Sequence, residues 1–189
     1  KSTQEYVSQT PAVIFPVIGW TEFSIDETYK DNELSPKLSA TYEVTDDINI
    51  YATYAKGYKS GGVNLGTSDG ADGSLFYDPE EADTYEAGTK MYLVDQTIDL
   101  NVALFHTKYT GLQVQTVQTN SGTVFVKNAA SATVQGIEID AQWLATRWLS
   151  LRGALGYLDG EYDDYKDATC TPAQADAGMT QCDLSGEPT

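Results

Sequence analysis

Six stretches of this chain alternate strictly between apolar and polar residues, and no other feature limits its fold as much. Leu38, Ala40, Tyr42 and Val44 share one parity, while Lys37, Ser39, Thr41 and Glu43 take the other. Ile48, Ile50, Ala52 and Tyr54 repeat the pattern against Asn49, Tyr51, Thr53 and Ala55, and Tyr85, Ala87, Thr89, Met91 and Leu93 do so against Glu86, Gly88, Lys90 and Tyr92. Ile98 to Leu104, Ile137 to Trp143 and Leu149 to Tyr157 complete the set. A period of two belongs to strands with unlike faces. The reading is six strands, at about 36–45, 47–58, 82–94, 97–118, 123–144 and 148–162.

The connections between them alternate too. Tight turns fall at Asp46-Asp47, Asp95-Gln96 and 145–147, roughly every 50 residues. The opposite ends carry long segments, 59–81 and 163–189, and a long-armed hairpin around Asn120-Ser121-Gly122. Short turns at one end and long loops at the other are the plan of a transmembrane β-barrel. Two of the strands approach 20 residues, whereas a crossing takes about 9–11 and a soluble strand usually 5–6. These strands are therefore expected to project beyond the membrane.

The two faces differ as such a wall requires. The apolar face is aliphatic in mid-strand and aromatic at its ends, with Tyr54, Tyr85 and Tyr157 towards the long loops and Trp143 towards the short turns. An amphipathic ring is favoured where one end is wet and the other apolar. The opposite face carries Lys37, Glu43, Glu86, Lys90, Glu138, Asp140 and Arg152, too many charges for a dry core but suited to a wet lumen. The fold expected is all-β: an antiparallel up-and-down meander forming part of a large transmembrane barrel.

Several functions are excluded. The 28 acidic and 11 basic side chains give a net charge of −17, which repels phosphate backbones and makes nucleic acid an unsuitable partner. The longest apolar run, 12–20, is interrupted by Pro16 and is too short for a spanning helix. His106 is the one histidine, on the apolar parity near the outer end of its strand, where an interfacial side chain is the ordinary role. Without a second histidine no Ser-His-Asp arrangement exists, and no phosphate or dinucleotide fingerprint appears. The paired carboxylates Asp163-Asp164 lie in a polar loop with no apolar pocket to separate their pKa values. No enzyme, cofactor or metal site is expected.

Four pieces of sequence resemble the TonB-dependent outer-membrane receptors. They are Gly57-Tyr58-Lys59-Ser60-Gly61-Gly62-Val63-Asn64; Pro79-Glu80 followed by Tyr85-Glu86-Ala87-Gly88-Thr89-Lys90; Phe105-His106-Thr107-Lys108-Tyr109 with Gln113; and Asn128-Ala129-Ala130-Ser131-Ala132-Thr133-Val134-Gln135-Gly136-Ile137-Glu138. They stand in the family's order, from about Leu34 to Tyr162. The resemblance implies a place in the Gram-negative outer membrane, amid its lipid, and active uptake of scarce nutrients, most often ferric siderophores. It also implies a plug inside the barrel that contacts TonB. No segment here resembles that plug, no charged-then-apolar leader opens the chain, and the last residues read as loop. Barrels of this type have about 22 strands, so the six are expected to be a slice from the C-terminal half.

The same resemblance places the loops outside the cell, an oxidising setting in which Cys170 and Cys182, 12 residues apart, would form a disulfide. Two free thiols or a metal pair are the other readings. Segment 59–81 holds five acids and one base, and 159–189 eight acids and one base. Charge-solvated loops explain this; capture of a cationic ligand, or of Ca²⁺ able to bridge anionic lipopolysaccharide, is the functional alternative. Asp69 and Glu80 stand at positions 1 and 12 of an EF-hand-length loop, but Ala71 and Gly73 occupy positions that need oxygen ligands. Two further readings of the whole chain are a small complete barrel with a structural or adhesive role, which would need two strands from 5–25 despite Pro11 and Pro16, and a soluble calcium-dependent sheet.

Overall fold

The computed structural model describes residues 2–8, 25–64, 75–117, 124–166, 168–179 and 182–189. Ten strands are described: β1 (Ser2–Ser8), β2 (Ile25–Asp31), β3 (Lys37–Thr45), β4 (Ile48–Lys59), β5 (Gly62–Val63), β6 (Phe76–Tyr77), β7 (Glu80–Leu93), β8 (Ile98–Val117), β9 (Val124–Thr146) and β10 (Leu149–Asp164), followed by the short helix α1 (Pro172–Asp176). β3, β4, β7, β8, β9 and β10 form one antiparallel sheet in which chain neighbours are sheet neighbours. β1 pairs with β2 and β5 with β6 in two small separate sheets. The hairpin turn at 120–122 lies outside the described residues.

The registers align the strands into continuous rows. One row runs Tyr42, Ile50, Thr89, Val102, Ile139, Leu155 across all six strands. The rows above it are Ala40, Ala52, Ala87, Leu104, Ile137, Tyr157 and then Leu38, Tyr54, Tyr85, His106, Gln135, Asp159. The rows below are Ile48, Met91, Leu100, Ala141, Gly153 and then Leu93, Ile98, Trp143, Leu151. Successive rows on one face lie about 6.7 Å apart along a strand, so these five cover about 27 Å, or roughly 20 Å of membrane thickness at a tilt near 40°. A barrel's apolar band is about 25 Å tall. The next row up is Lys56, Asp83, Lys108, Thr133, Glu161; the apolar band stops there on β4 and β7, and one row lower, at His106, Gln135 and Asp159, on β8, β9 and β10.

The burial pattern excludes a soluble sheet with a dry core. Buried apolar residues among those described are only Val63, Ala130, Ala132, Ala168 and Cys182, mostly small. Leu155 is 69 % exposed, Leu151 50 % and Ile50 46 %. A water-soluble domain buries side chains of this size because each gains roughly 1.5–3 kcal/mol by leaving water. Among the described residues no second layer packs against the apolar face.

Glycines on the other face allow close packing. A Cβ on Gly88 would meet the Tyr51 hydroxyl at 2.6 Å, and one on Gly136 would meet Phe105 Cζ at 2.7 Å. Each ring occupies the space that a side chain on the glycine of the neighbouring strand would fill.

The turn end is compact. Tyr92 N–H donates to the Asp47 carbonyl at 2.8 Å and Gln96 Nε2 to Asp47 Oδ1 at 3.1 Å, tying the first short turn to the second. The second turn places Val94, Asp95 and Gln96 in succession at φ 51°, 51° and 62°. For a β-branched residue such as Val94 this left-handed conformation is strained.

Four strands, β1, β2, β5 and β6, lie beyond the alternation. β2 reads Ile-Asp-Glu-Thr-Tyr-Lys-Asp, with no apolar face to reveal it. β5 and β6 are two residues each, below the length at which a period shows. The ends of long strands also extend further than expected. Asp163 and Asp164, read from sequence as loop, lie in or end β10, and Lys59, Glu80 and Glu81, also read as loop, belong to β4 and β7.

Candidate functional site

The loop-bearing end of the sheet is built by three side-chain amides. Beyond β4, β5 and β6 pair with each other, and residues 60, 64 and 78 are fastened to the projecting ends of β8 and β9. Asn64 Nδ2 donates to the Val126 carbonyl at 2.7 Å, and Val126 N–H donates to Asn64 Oδ1 at 2.8 Å. One side chain thus makes the two bonds that a neighbouring strand would make. Asn128 repeats the device: its Oδ1 accepts from Asp78 N–H at 2.6 Å, and its Nδ2 donates to the carbonyls of Asp78 at 2.8 Å and Gly111 at 2.7 Å. Gln113 Nε2 donates to the Ser60 carbonyl at 2.9 Å and the Asp78 carbonyl at 3.2 Å, while its N–H donates to Glu80 Oε2 at 2.9 Å.

Gly61 to Asn64 are all buried, as are Ala130 and Ala132 on the lumenal parity of β9. A Cβ on Gly61 would collide with the Tyr77 carbonyl and the Tyr29 hydroxyl, so Gly61 is required for close approach. Tyr29 of β2 stacks on Phe76 at 6.4 Å between ring centroids. Burial and the neighbouring carboxylates Asp31 and Asp78 push the Tyr29 phenol above its ordinary pKa. At Gly111, φ is +64° and the register of β8 on β9 shifts. This is a glycine bulge that bends the projecting hairpin.

A second cluster closes the chain's last segment. Cys170 and Cys182 are bonded, with their Cα atoms 5.2 Å apart. Ala168 and Cys182 exchange two backbone hydrogen bonds, at 3.0 and 3.1 Å. Tyr162 N–H donates to the Glu187 carbonyl at 3.0 Å and Thr189 N–H to the Gly160 carbonyl at 3.0 Å, so 186–189 run back along the upper edge of β10. Thr171 and Gln174 form a capping box: the Gln174 Oε1 accepts from Thr171 N–H at 2.9 Å, and Thr171 Oγ1 accepts from Gln174 N–H at 3.4 Å. The hydroxyl and N–H of Ser185 hold the Asp183 carboxyl below its usual pKa.

On the outward side Lys56 sits between Glu33 and Glu81, at 2.9 and 3.0 Å. Its hydrogen bonds to these carboxylates, Glu33 first, raise its pKa above the ordinary lysine value. Of the EF-hand-length loop only the end from residue 75 onward is described. Asp69 lies outside the described residues, and Glu80 is occupied by Gln113 and, at 3.7 Å, by Lys59. No group of three or more His, Cys, Asp or Glu that could hold a metal ion occurs among the described residues.

Asn64, Gln113 and Asn128 stood inside the sequence pieces of the family resemblance, but their contacts bridge 62, 53 and 50 residues and no local pattern joins them. The Lys56–Glu33–Glu81 group had no signal at all beyond charge.

The TonB dependent receptor-like β-barrel family model matches residues 9–178. The chain belongs to that family. It is 34 % identical over 113 residues to the pesticin receptor of Yersinia pestis, a match covering 60 % of this chain and 16 % of that protein. It is 30 % identical over 128 residues to the metal-pseudopaline receptor CntO of Pseudomonas aeruginosa, covering 67 % and 17 %. The crystal structure of the ferric yersiniabactin uptake receptor FyuA from Yersinia pestis superposes with a TM-score of 0.61 at 27 % identity, over 75 % of this chain and 20 % of that one.

The chain therefore spans about a sixth of the length of the curated relatives it matches. It is a partial barrel of the Gram-negative outer membrane, and its relatives are receptors and transporters rather than enzymes.

Proposed function

We propose that this segment is part of the wall of an outer-membrane active transporter that takes up ferric siderophores and is powered by TonB. The observation that carries the reading is the outward face: four apolar rows and a fifth that turns polar at His106, Gln135 and Asp159 end in one charged row, and both long segments leave the sheet beyond that row. Outer-membrane lipid surrounds the apolar rows. The polar inward face, with Glu43, Glu86, Lys90, Glu138, Asp140 and Arg152, looks into a wet lumen filled by a plug. That plug contacts TonB. Segments 60–79 and 165–189 stand at the outer mouth and contribute to ligand capture, the second of them stapled as an extracellular loop by Cys170 and Cys182.

Support for the substrate class comes from relatives named for ferric yersiniabactin uptake and for metal-pseudopaline. The test is uptake of radio-iron as a ferric siderophore by cells carrying the full-length receptor, its loop deletion Δ60–79, or no TonB. Uptake is expected to need TonB, and the loop deletion is expected to weaken ligand binding while the barrel still assembles. Uptake that continues without TonB, or binding indifferent to both loops, would reject the proposal.

A further inference from the structure

Two of the three amides at the loop end stand directly opposite each other. Gln113 on β8 and Asn128 on β9 are register partners, the first pair beyond the two register shifts that flank Leu112. Both grip the same peptide unit. The Asp78 carbonyl accepts from Gln113 Nε2 at 3.2 Å and from Asn128 Nδ2 at 2.8 Å, and Asp78 N–H donates to Asn128 Oδ1 at 2.6 Å. Asn64 and Val126 form a second grip farther out on β9. The two grips are joined on both sides. On one side Asn64 N–H donates to the Leu75 carbonyl at 2.7 Å and Gly62 pairs with Tyr77; on the other, β9 runs from Val126 to Asn128. Neither grip can open far while this ring of bonds is closed.

The ring lies against the bend in the hairpin. Gly111 has φ +64°, and a Cβ there would meet the Pro79 carbonyl at 2.9 Å. Asn128 Nδ2 also donates to the Gly111 carbonyl at 2.7 Å. The bulge, the peptide it leans on and the amide that holds it are therefore in contact. A bulge disrupts the ladder locally and bends its strand, so Gly111 is the point about which the projecting residues turn. Asn64 is only 6 % exposed, and a buried amide stripped of its partners bears the full cost of desolvation. Partial opening is thus penalised. The bonds of 182–189 run instead to Gly160, Tyr162, Tyr165 and Ala168.

We propose that residues 60–64 and 75–79 and the projecting β8–β9 hairpin are one strap, hinged at Gly111 and latched by Gln113, Asn128 and Asn64, which opens and closes as a single unit. Residues 182–189 belong to a separate unit that moves independently of the strap. A ligand touching either part of the strap then meets both in fixed relation. The inference rests on the proposed function only in placing the strap at the outer mouth.

Hydrogen exchange of the full-length receptor, followed by mass spectrometry without ligand or TonB, is the test. Asn128→Leu removes the inner grip. Exchange is expected to quicken roughly tenfold to a hundredfold across 60–64, 75–79 and 124–128 together. That includes the amides of Asn64 and Val126, whose bonds to each other do not involve Asn128. Gly111→Ala drives a methyl into the Pro79 carbonyl and is expected to release the same residues with every amide in place. Residues 182–189 and the rows of the sheet are expected to keep the parent's rates. If Asn128→Leu does not assemble, Asn128→Asp, of the same shape but without the two donors, takes its place. Quickening confined to Asp78, or parent rates throughout, would overturn the strap, and so would quickening that spreads equally into 182–189 and the sheet. Uptake is not the readout, so failure here leaves the transport proposal standing.

Discussion

Leu155 is the most direct test of which face meets lipid. It sits in the middle row of the band, two rows from either edge, and is 69 % exposed. Two rows are about 13 Å of strand, or about 10 Å of depth at a tilt near 40°. An arginine there is held close to the bilayer midplane, where the cost is about 2–4 kcal/mol. Leu151, in the bottom row, lies near an interface, and the same substitution should cost no more than about 1 kcal/mol. Ala154 adjoins Leu155 but points inward, and its register partner is Asp140. An arginine at Ala154 gains a carboxylate neighbour in water and should cost close to nothing. Equilibrium unfolding of the full-length receptor from vesicles in urea reads all three. The expected order of destabilisation is Leu155→Arg, then Leu151→Arg, then Ala154→Arg. If Ala154→Arg costs as much as Leu155→Arg, or if Leu155→Arg is neutral, the two faces have been assigned the wrong way round.

Other perturbations follow from single contacts. Asn64→Leu removes both bonds to Val126 and leaves that backbone unpaired, which should loosen the loop by about 1–3 kcal/mol, read as faster amide exchange at Val126 with the barrel rows unchanged. Val94→Asn replaces a β-branched residue held at φ 51° by one that tolerates this region, and should stabilise by about 1 kcal/mol in the same urea titration. Reducing the Cys170–Cys182 bond releases a closed loop worth about 3 kcal/mol in chain entropy; protease should then cut within 170–182 while the strands of the sheet stay intact. The depressed pKa of Asp183 means that its bonds to Ser185 stabilise above the ordinary carboxylate pKa of about 4 and are lost as pH falls through the lower folded value. Cleavage in the last segment should rise there in the parent but not in Asp183→Asn, whose baseline is already raised.

Much of the wall was legible because its information is local. Tyr42 and Ile50, or Ile139 and Leu155, show their face through alternation alone, since a strand with one apolar and one polar face must repeat every two residues. The loop end was legible only as a set of resembling motifs. Asn64, Gln113 and Asn128 were visible there without their roles, because an amide that imitates a strand leaves no periodic trace. The register shift at Gly111 made the pairing of 113 with 128 unreadable by counting. β2 was missed for the opposite reason: a strand without an apolar face has no pattern to display.

The order of residues by itself determined that this chain makes a two-faced antiparallel wall, short turns at one end and long segments at the other, because backbone pleat and solvent contrast act on near neighbours. Only the tertiary structure decided that Asn64, Gln113 and Asn128 fasten the loop end together and that Lys56 is shared by Glu33 and Glu81. Those depend on groups brought together from distant positions in the chain, and only the register of the sheet sets the distances between them.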